Sequence, residues 1–183
     1  MSLITRRTML AAAGTLAAGL APRNSHAAEH LPPLASLLRL TDPPVPPAEI
    51  VFTDRNGEPH RLGEFQGHGM VINLWATWCM PCVAEMPSLA VLTRTLAPAD
   101  IAVLPLSSDR GGLAKVEAFY AEHGLSALPI LLDPRGEAGT AWGVRGIPTT
   151  LIIDRQGREC ARAEGAADWS SQDAAETIRR LVG

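Results

Sequence analysis

The stretch Val71-Ile72-Asn73-Leu74-Trp75-Ala76-Thr77-Trp78-Cys79-Met80-Pro81-Cys82-Val83-Ala84-Glu85-Met86-Pro87 decides the fold. Its first half is an apolar run of strand length. After it, Val83, Met86, Ala90 and Leu92 suit a helix, with Pro87 a candidate kink. Cys79 and Cys82 therefore fall on a strand-to-helix turn. Two intervening residues let the thiols close to a disulfide and reopen with little backbone movement, and the helix N-terminus favours a thiolate at the first. A zinc site would need a second ligand pair at short spacing. Only Cys160 and scattered histidines are left for one, so no metal is expected.

Working outward, Ile101 to Leu106 reads as the next strand, and Leu113, Val116, Phe119 and Tyr120 recur at helical spacing ahead of a stop at His123-Gly124. Ile130 to Leu132 is a short strand and Gly136 to Trp142 a short helix. Leu151-Ile152-Ile153, the turn Asp154 to Gly157, and Arg158 to Ala163 read as a hairpin. A last helix starts near Ser170, where Ser170 and Asp173 form a capping pattern, and buries Ile178 and Leu181. Upstream, Ile50-Val51-Phe52 and the Asn56-Gly57 turn signal predict a β-hairpin. Strands alternating with helices and ending in a hairpin plus helix give an α/β fold: a mixed central sheet flanked by helices on both faces.

Two blocks carry a resemblance. Val71 to Pro87 resembles the active-site block of the TlpA and ResA group of thioredoxin-like thiol:disulfide oxidoreductases. Val144-Arg145-Gly146-Ile147-Pro148-Thr149-Thr150-Leu151-Ile152-Ile153-Asp154 resembles that group's cis-proline segment and following strand. The resemblance spans about Glu49 to Gly183. It implies a thioredoxin-like fold with an N-terminal β-hairpin extension, a redox disulfide between Cys79 and Cys82, and no cofactor.

On this reading Cys79, at the helix start, is the exposed nucleophile, and Cys82, one turn inward, resolves the mixed disulfide. Thioredoxin carries a buried Asp six residues before its first cysteine; here that position is Asn73, which cannot titrate. Glu85, three residues after Cys82, matches the active-site glutamate of ResA-like proteins and is the candidate proton acceptor for Cys82; a solvated helix residue is the alternative. Pro148 is expected to be cis and to lie against the cysteine pair, so that the backbone of Ile147 pairs with an extended substrate. Trp78 is assigned to the same substrate-facing edge, shielding the site, and Trp75 to the core. Cys160 shares a strand face with Arg158 and Arg162 if the strand is regular. Those arginines could make it a reactive third thiol, although a lone cysteine is more commonly passive. His60, His68 and His123 show no ligand spacing and read as surface residues.

The remaining chain bears on location and partners. Thr5-Arg6-Arg7-Thr8-Met9-Leu10 leads into an Ala/Gly-rich run ending near Pro22, and Ser25-His26-Ala27 offers small residues for cleavage. Residues 1–27 thus read as an export signal, of twin-arginine rather than Sec type, directing the protein to the periplasm. The apolar stretch from Met9 to Ala21 has 13 residues, short of the roughly 20 that span a bilayer. Residues 28–48 hold Pro32, Pro33, Pro43, Pro44, Pro46 and Pro47 and read as a Pro-rich tether, with the domain occupying 49–183. Between the prolines, Leu34, Leu37, Leu38 and Leu40 could form one amphipathic turn.

The whole chain is 46% hydrophobic and 19% charged, suited to one globular domain. Removal of the signal takes three arginines and no acid, so the net charge moves from −3 to −6. An acidic protein without a basic cluster has no electrostatic grip on nucleic acid or an anionic membrane.

Exported protein thiols and disulfides are therefore the expected partners of a monomeric disulfide reductase. The resemblance implies substrates such as apocytochrome c cysteines, or the thiols of a copper-delivery protein or oxidase subunit. It also implies a membrane electron donor of the DsbD or CcdA type, since the compartment is oxidising. A DsbA-like oxidant is the alternative enzyme. A Cu(I) metallochaperone is the alternative binding protein, without the Met/His-rich cluster such a site favours. A peroxiredoxin is disfavoured, because Thr77 stands two residues before Cys79 and the proline-led peroxidatic pattern is missing.

Overall fold

The computed structural model describes residues 31–183, so the export signal at 1–27 lies outside the described residues. Eight strands form one mixed sheet: β1 (Leu38–Val45), β2 (Val51–Asp54), β3 (Pro59–Arg61), β4 (Gly69–Trp75), β5 (Ile101–Ser107), β6 (Leu131–Leu132), β7 (Thr149–Ile153) and β8 (Glu159–Glu164). Among the described residues five α-helices accompany them: α1 (Leu34–Leu37), α2 (Met80–Leu96), α3 (Gly112–His123), α4 (Glu137–Ala141) and α5 (Gln172–Val182). The strands lie in the order β1-β8-β7-β4-β5-β6-β2-β3.

β4 is the central strand: all seven of its residues are buried, six of them apolar or glycine and the seventh, Asn73, held by side-chain hydrogen bonds. It runs parallel to β5 and antiparallel to β7. Strand alternation divides its side chains. Val71, Trp75 and, between them, Asn73 face one way, Val71 and Trp75 joining a cluster with Met86 and Leu89 of α2, Phe119 of α3 and Ile178 of α5. Met70, Ile72 and Leu74 face the other, packing with Ala138 of α4, Trp142 and Phe52. Each such fully buried large aliphatic side chain contributes about 1.5–3 kcal/mol. Gly69 opens the strand where no side chain fits, since a Cβ there would run into Val182 of α5.

The hairpin expected from Asn56-Gly57 is present as β2–β3, and β2 also pairs with β6, which joins the extension to the main sheet. The β7–β8 hairpin turns at Asp154, whose carboxylate accepts the backbone N–H groups of Gln156 and Arg158. The last helix begins one residue later than the sequence pattern suggested: Ser171 is its cap, its Oγ accepting from Ala174 N at 3.2 Å, while Ser170 is bonded to Asp168.

One expectation is corrected. The Pro-rich segment 28–48 is not a free tether over its described part, because β1 pairs with β8 in the register Leu38↔Ala163 to Leu40↔Ala161 and again at Val45↔Glu159. Proline lacks the N–H a central strand needs but is tolerated on an edge, and Pro43 and Pro44 fall where the register breaks between Leu40 and Val45. The sheet thus begins ahead of Glu49. Of the four leucines, Leu34 is the buried one, in the single turn α1.

Candidate active site

Cys79 ends the turn after β4 and caps α2, and Pro81 occupies the first helical turn, where its missing N–H leaves no bond unmade. The turn is fixed from below: Thr77 gives both its backbone N–H (2.8 Å) and its hydroxyl (2.7 Å) to the buried carboxylate of Asp109. Ser107 Oγ donates to the same carboxylate at 3.0 Å, and Lys115 Nζ lies 3.5 Å from it. Nothing in the spacing of Thr77 and Asp109 signals this bond; only the parallel pairing of β4 and β5 brings the two strand ends together.

Cys79 and Cys82 are joined by a disulfide, with Cα atoms 5.2 Å apart. Cys82 N–H donates to Cys79 Sγ at 3.3 Å, so the first sulfur already holds a helix N-terminal donor. Cys82 is fully buried. Cys79 was expected to be exposed, yet only 6% of it is, because the segment before β7 covers it. Ile147 O lies 3.6 Å from Cys79 Sγ, and the Ile147–Pro148 peptide is cis, as expected for a segment set against the cysteines. Trp78 (63% exposed) and Met80 (74%) instead stand out in solvent on either side of Cys79. Beside them a cleft of about 510 Å³ is lined by Trp78, Leu74, Leu106, Val144, Ile147 and the glycine face of α4.

Glu85 is 0% exposed, which removes the solvated alternative. Its Oε1 accepts from Asn73 Nδ2 at 2.9 Å; its Oε2 accepts from Ala167 N at 2.9 Å and from Trp169 Nε1 at 2.7 Å. Burial pushes the Glu85 carboxyl up from 4.5 to about 7, outweighing the three donors, which pull it down. Asn73 Nδ2 also donates to Thr150 Oγ1 at 2.9 Å, and Asn73 Oδ1 is buried with no partner. The sequence reading missed Trp169, Ala167 and Thr150, because the first two lie in a loop more than 80 residues from Glu85 with no recognisable pattern.

Cys160 is kept from the site. A register shift opposite Ile152 and Ile153 breaks the regular alternation, so Cys160 turns inward and its Sγ lies 3.2 Å from Ile152 O. Arg158 is taken by Asp154 and Arg162 by Glu159, so neither arginine activates the thiol. Burial, reinforced by Asp154, pushes it up to about 11. Among the described residues no three His, Cys, Asp or Glu side chains converge as a metal site would require, and no helix is long and apolar enough to cross a membrane.

A parallel β4–α2–β5 unit with a CxxC disulfide at the start of its helix, faced by a cis-proline, defines a thioredoxin-fold dithiol site. By the match of its sequence over residues 44–158, the chain belongs to the AhpC/TSA family, in its TlpA/ResA-like group. The thiol-disulfide oxidoreductase ResA of Bacillus thuringiensis subsp. konkukian is 32% identical over 133 residues, 73% of this chain and 75% of that protein. ResA of Geobacillus thermodenitrificans is 34% identical over 110 residues, 60% of this chain and 62% of its own length. Among solved structures, a Chlorobium tepidum chain given the name thiol:disulfide interchange protein DsbE superposes with a TM-score of 0.68 at 21% identity, covering 76% of this chain and 97% of that one. That last likeness is one of fold.

Proposed function

We propose that this protein is a thiol:disulfide oxidoreductase that reduces disulfides in exported proteins. The observation that carries the reading is the Cys79–Cys82 disulfide at the N-terminus of a helix, its first sulfur facing Ile147 O and its second a turn from buried Glu85. In the dithiol form, Cys79 attacks a substrate disulfide as thiolate, forming a mixed disulfide and releasing one substrate thiolate. Cys82 then attacks Cys79 Sγ, releasing the second substrate thiolate and restoring the Cys79–Cys82 disulfide. Glu85 takes the proton that Cys82 must lose, and its elevated pKa near neutrality suits that task.

The cleft between Trp78, Ile147 and α4 receives the chain flanking the target cysteine, with Ile147 supplying backbone bonds and Pro148 fixing the segment. The leader at 1–27 supports a periplasmic site of action. There the oxidised protein would need a membrane donor of the DsbD or CcdA type, and cytochrome c maturation or copper and oxidase assembly would supply substrates.

The reduction potential of the Cys79/Cys82 pair, measured by equilibration with a defined dithiol buffer, tests the reading. A value near or below about −270 mV supports a reductase; one near about −120 mV makes the protein an oxidant. A pair with no reversible couple would overturn the enzymatic reading altogether.

A further inference from the structure

Three groups bond the Glu85 carboxylate, and two of them can only donate: the Ala167 backbone N–H and the Trp169 indole N–H, both on Oε2. A proton arriving on Glu85 therefore has no room on Oε2 and goes to Oε1, where the one partner is Asn73 Nδ2, also a donor as now oriented. Turned toward Asn73, the new O–H would face a second donor; turned along the other Oε1 lone pair, it meets no acceptor among the groups bonded to Glu85, and either way a desolvated donor is left unpaired in a buried site. Asn73 is unlike the other partners, because its two amide ends are nearly the same shape and opposite in hydrogen-bonding sense. Its other end, Oδ1, is buried without a partner.

We propose that Asn73 is a positioning residue that turns its side-chain amide over when Glu85 gains or loses a proton. With Glu85 ionised, Nδ2 donates to Glu85 Oε1 and to Thr150 Oγ1, as observed. With Glu85 protonated, the amide is reversed: Oδ1 takes the place of Nδ2, accepting the new O–H of Glu85 on one lone pair and the Thr150 hydroxyl on the other. Thr150 can follow because a hydroxyl both accepts and donates. The number of bonds is the same in both states, and in each one Asn73 atom is left over. No bond is made or broken except that of the proton, which comes from solvent or from Cys82 Sγ and returns the same way.

Every group bonded to the carboxyl is uncharged, and in the oxidised protein, on which the proposal is tested, Cys79 and Cys82 are joined and do not titrate. An acid at position 73 would lack the donor that the ionised state uses. An apolar residue there would serve neither state. The inference rests on the proton-acceptor role proposed for Glu85, but it is tested on the oxidised protein without substrate, so its failure is separate from failure of the enzymatic reading.

The experiment is an NMR pH titration of the oxidised, isotope-labelled protein, following the Glu85 carboxyl carbon and the Asn73 side-chain NH₂. In the wild type, both Asn73 amide protons shift upfield as pH falls, with the midpoint of the Glu85 carboxyl, and the transition is absent from Glu85→Gln. Trp169→Phe, which removes an N–H that cannot reverse its sense and bonds the carboxylate more strongly than the neutral acid, raises the Glu85 midpoint by about one pH unit or more. Asn73→Leu, which removes a partner from both states, moves it less than half as far. An Asn73 NH₂ signal that stays put through the Glu85 midpoint would overturn the proposal. So would an Asn73→Leu midpoint raised as far as that of Trp169→Phe, since Asn73 would then be a fixed donor.

Discussion

The indole N–H of Trp169 donates to Glu85 Oε2 at 2.7 Å, and this bond ties the loop ahead of α5 to the helix that begins at the Cys79–Cys82 disulfide. The two residues lie 84 positions apart in sequence, so the acid's surroundings depend on tertiary packing and not on local sequence.

Because Glu85 has a folded-state pKa near 7 against an ordinary 4.5, the folded protein holds a proton that the unfolded chain has already released between those values. The sign follows: stability tied to Glu85 is fully present below about pH 4.5 and is lost as pH rises to about 7, a fall on the order of 3 kcal/mol. Urea unfolding of wild type and Glu85→Gln across this window checks it. The difference between the two should change steadily up to about pH 7 and flatten above, whereas a constant difference would place the Glu85 carboxyl at its ordinary value.

For the cysteines, Cys79→Ser is expected to abolish insulin reduction. Cys82→Ser should instead accumulate a mixed disulfide with substrate, visible as a reducible adduct by mass spectrometry. Full turnover by either variant would contradict the dithiol scheme.

Gly139 lies on the cleft face of α4, and a Cβ built there meets no atom within 4 Å. Gly139→Leu is therefore expected to fold, and to gain rather than lose helix propensity, by about 1 kcal/mol. Its side chain would occupy the cleft. Reduction of a protein disulfide should slow at least tenfold while reaction with a small aromatic disulfide stays within about twofold. Equal slowing of both would mean that the cleft does not receive the polypeptide.

The Cys160 thiol, buried and pushed up to about 11, stays protonated at neutral pH. Alkylation of the reduced native protein should label Cys79 first and leave Cys160 unmodified until denaturant is added. Cys160→Ala should keep wild-type activity.

Much of this architecture was legible beforehand, for identifiable reasons. β4 announced itself as a buried run, the CxxC and Ile147-Pro148 blocks bracketed the site, and Asn56-Gly57 marked its hairpin through local turn chemistry. What escaped was set by tertiary pairing. β1 hid behind prolines that only an edge strand tolerates, and the bulge in the β7–β8 ladder turned Cys160 inward against strict alternation. Asn73 was noticed as a residue that cannot titrate, yet its bond to Glu85 depends on β4 and α2 packing face to face.

Gly69→Ala tests the packing of β4 against α5. The added methyl would press on Val182 at the end of α5, and overpacking of this kind costs about 1–3 kcal/mol. A lowered urea midpoint with the disulfide chemistry unchanged is the expected result. An unchanged midpoint would show that α5 yields without cost.

Pro32 and Pro33 lie beside the loop that holds Glu85: Asp168 N–H donates to Pro32 O at 2.9 Å, and Pro33 bridges Asp168. A pull on the chain ahead of Leu31, whether from a fused protein or a surface attachment, would thus load this loop before it reached β1. A handle used to immobilise the protein is better placed after Gly183, where traction falls first on α5 and on the bond from Arg155 Nε to Gly183 O, away from the residues that cradle the buried acid.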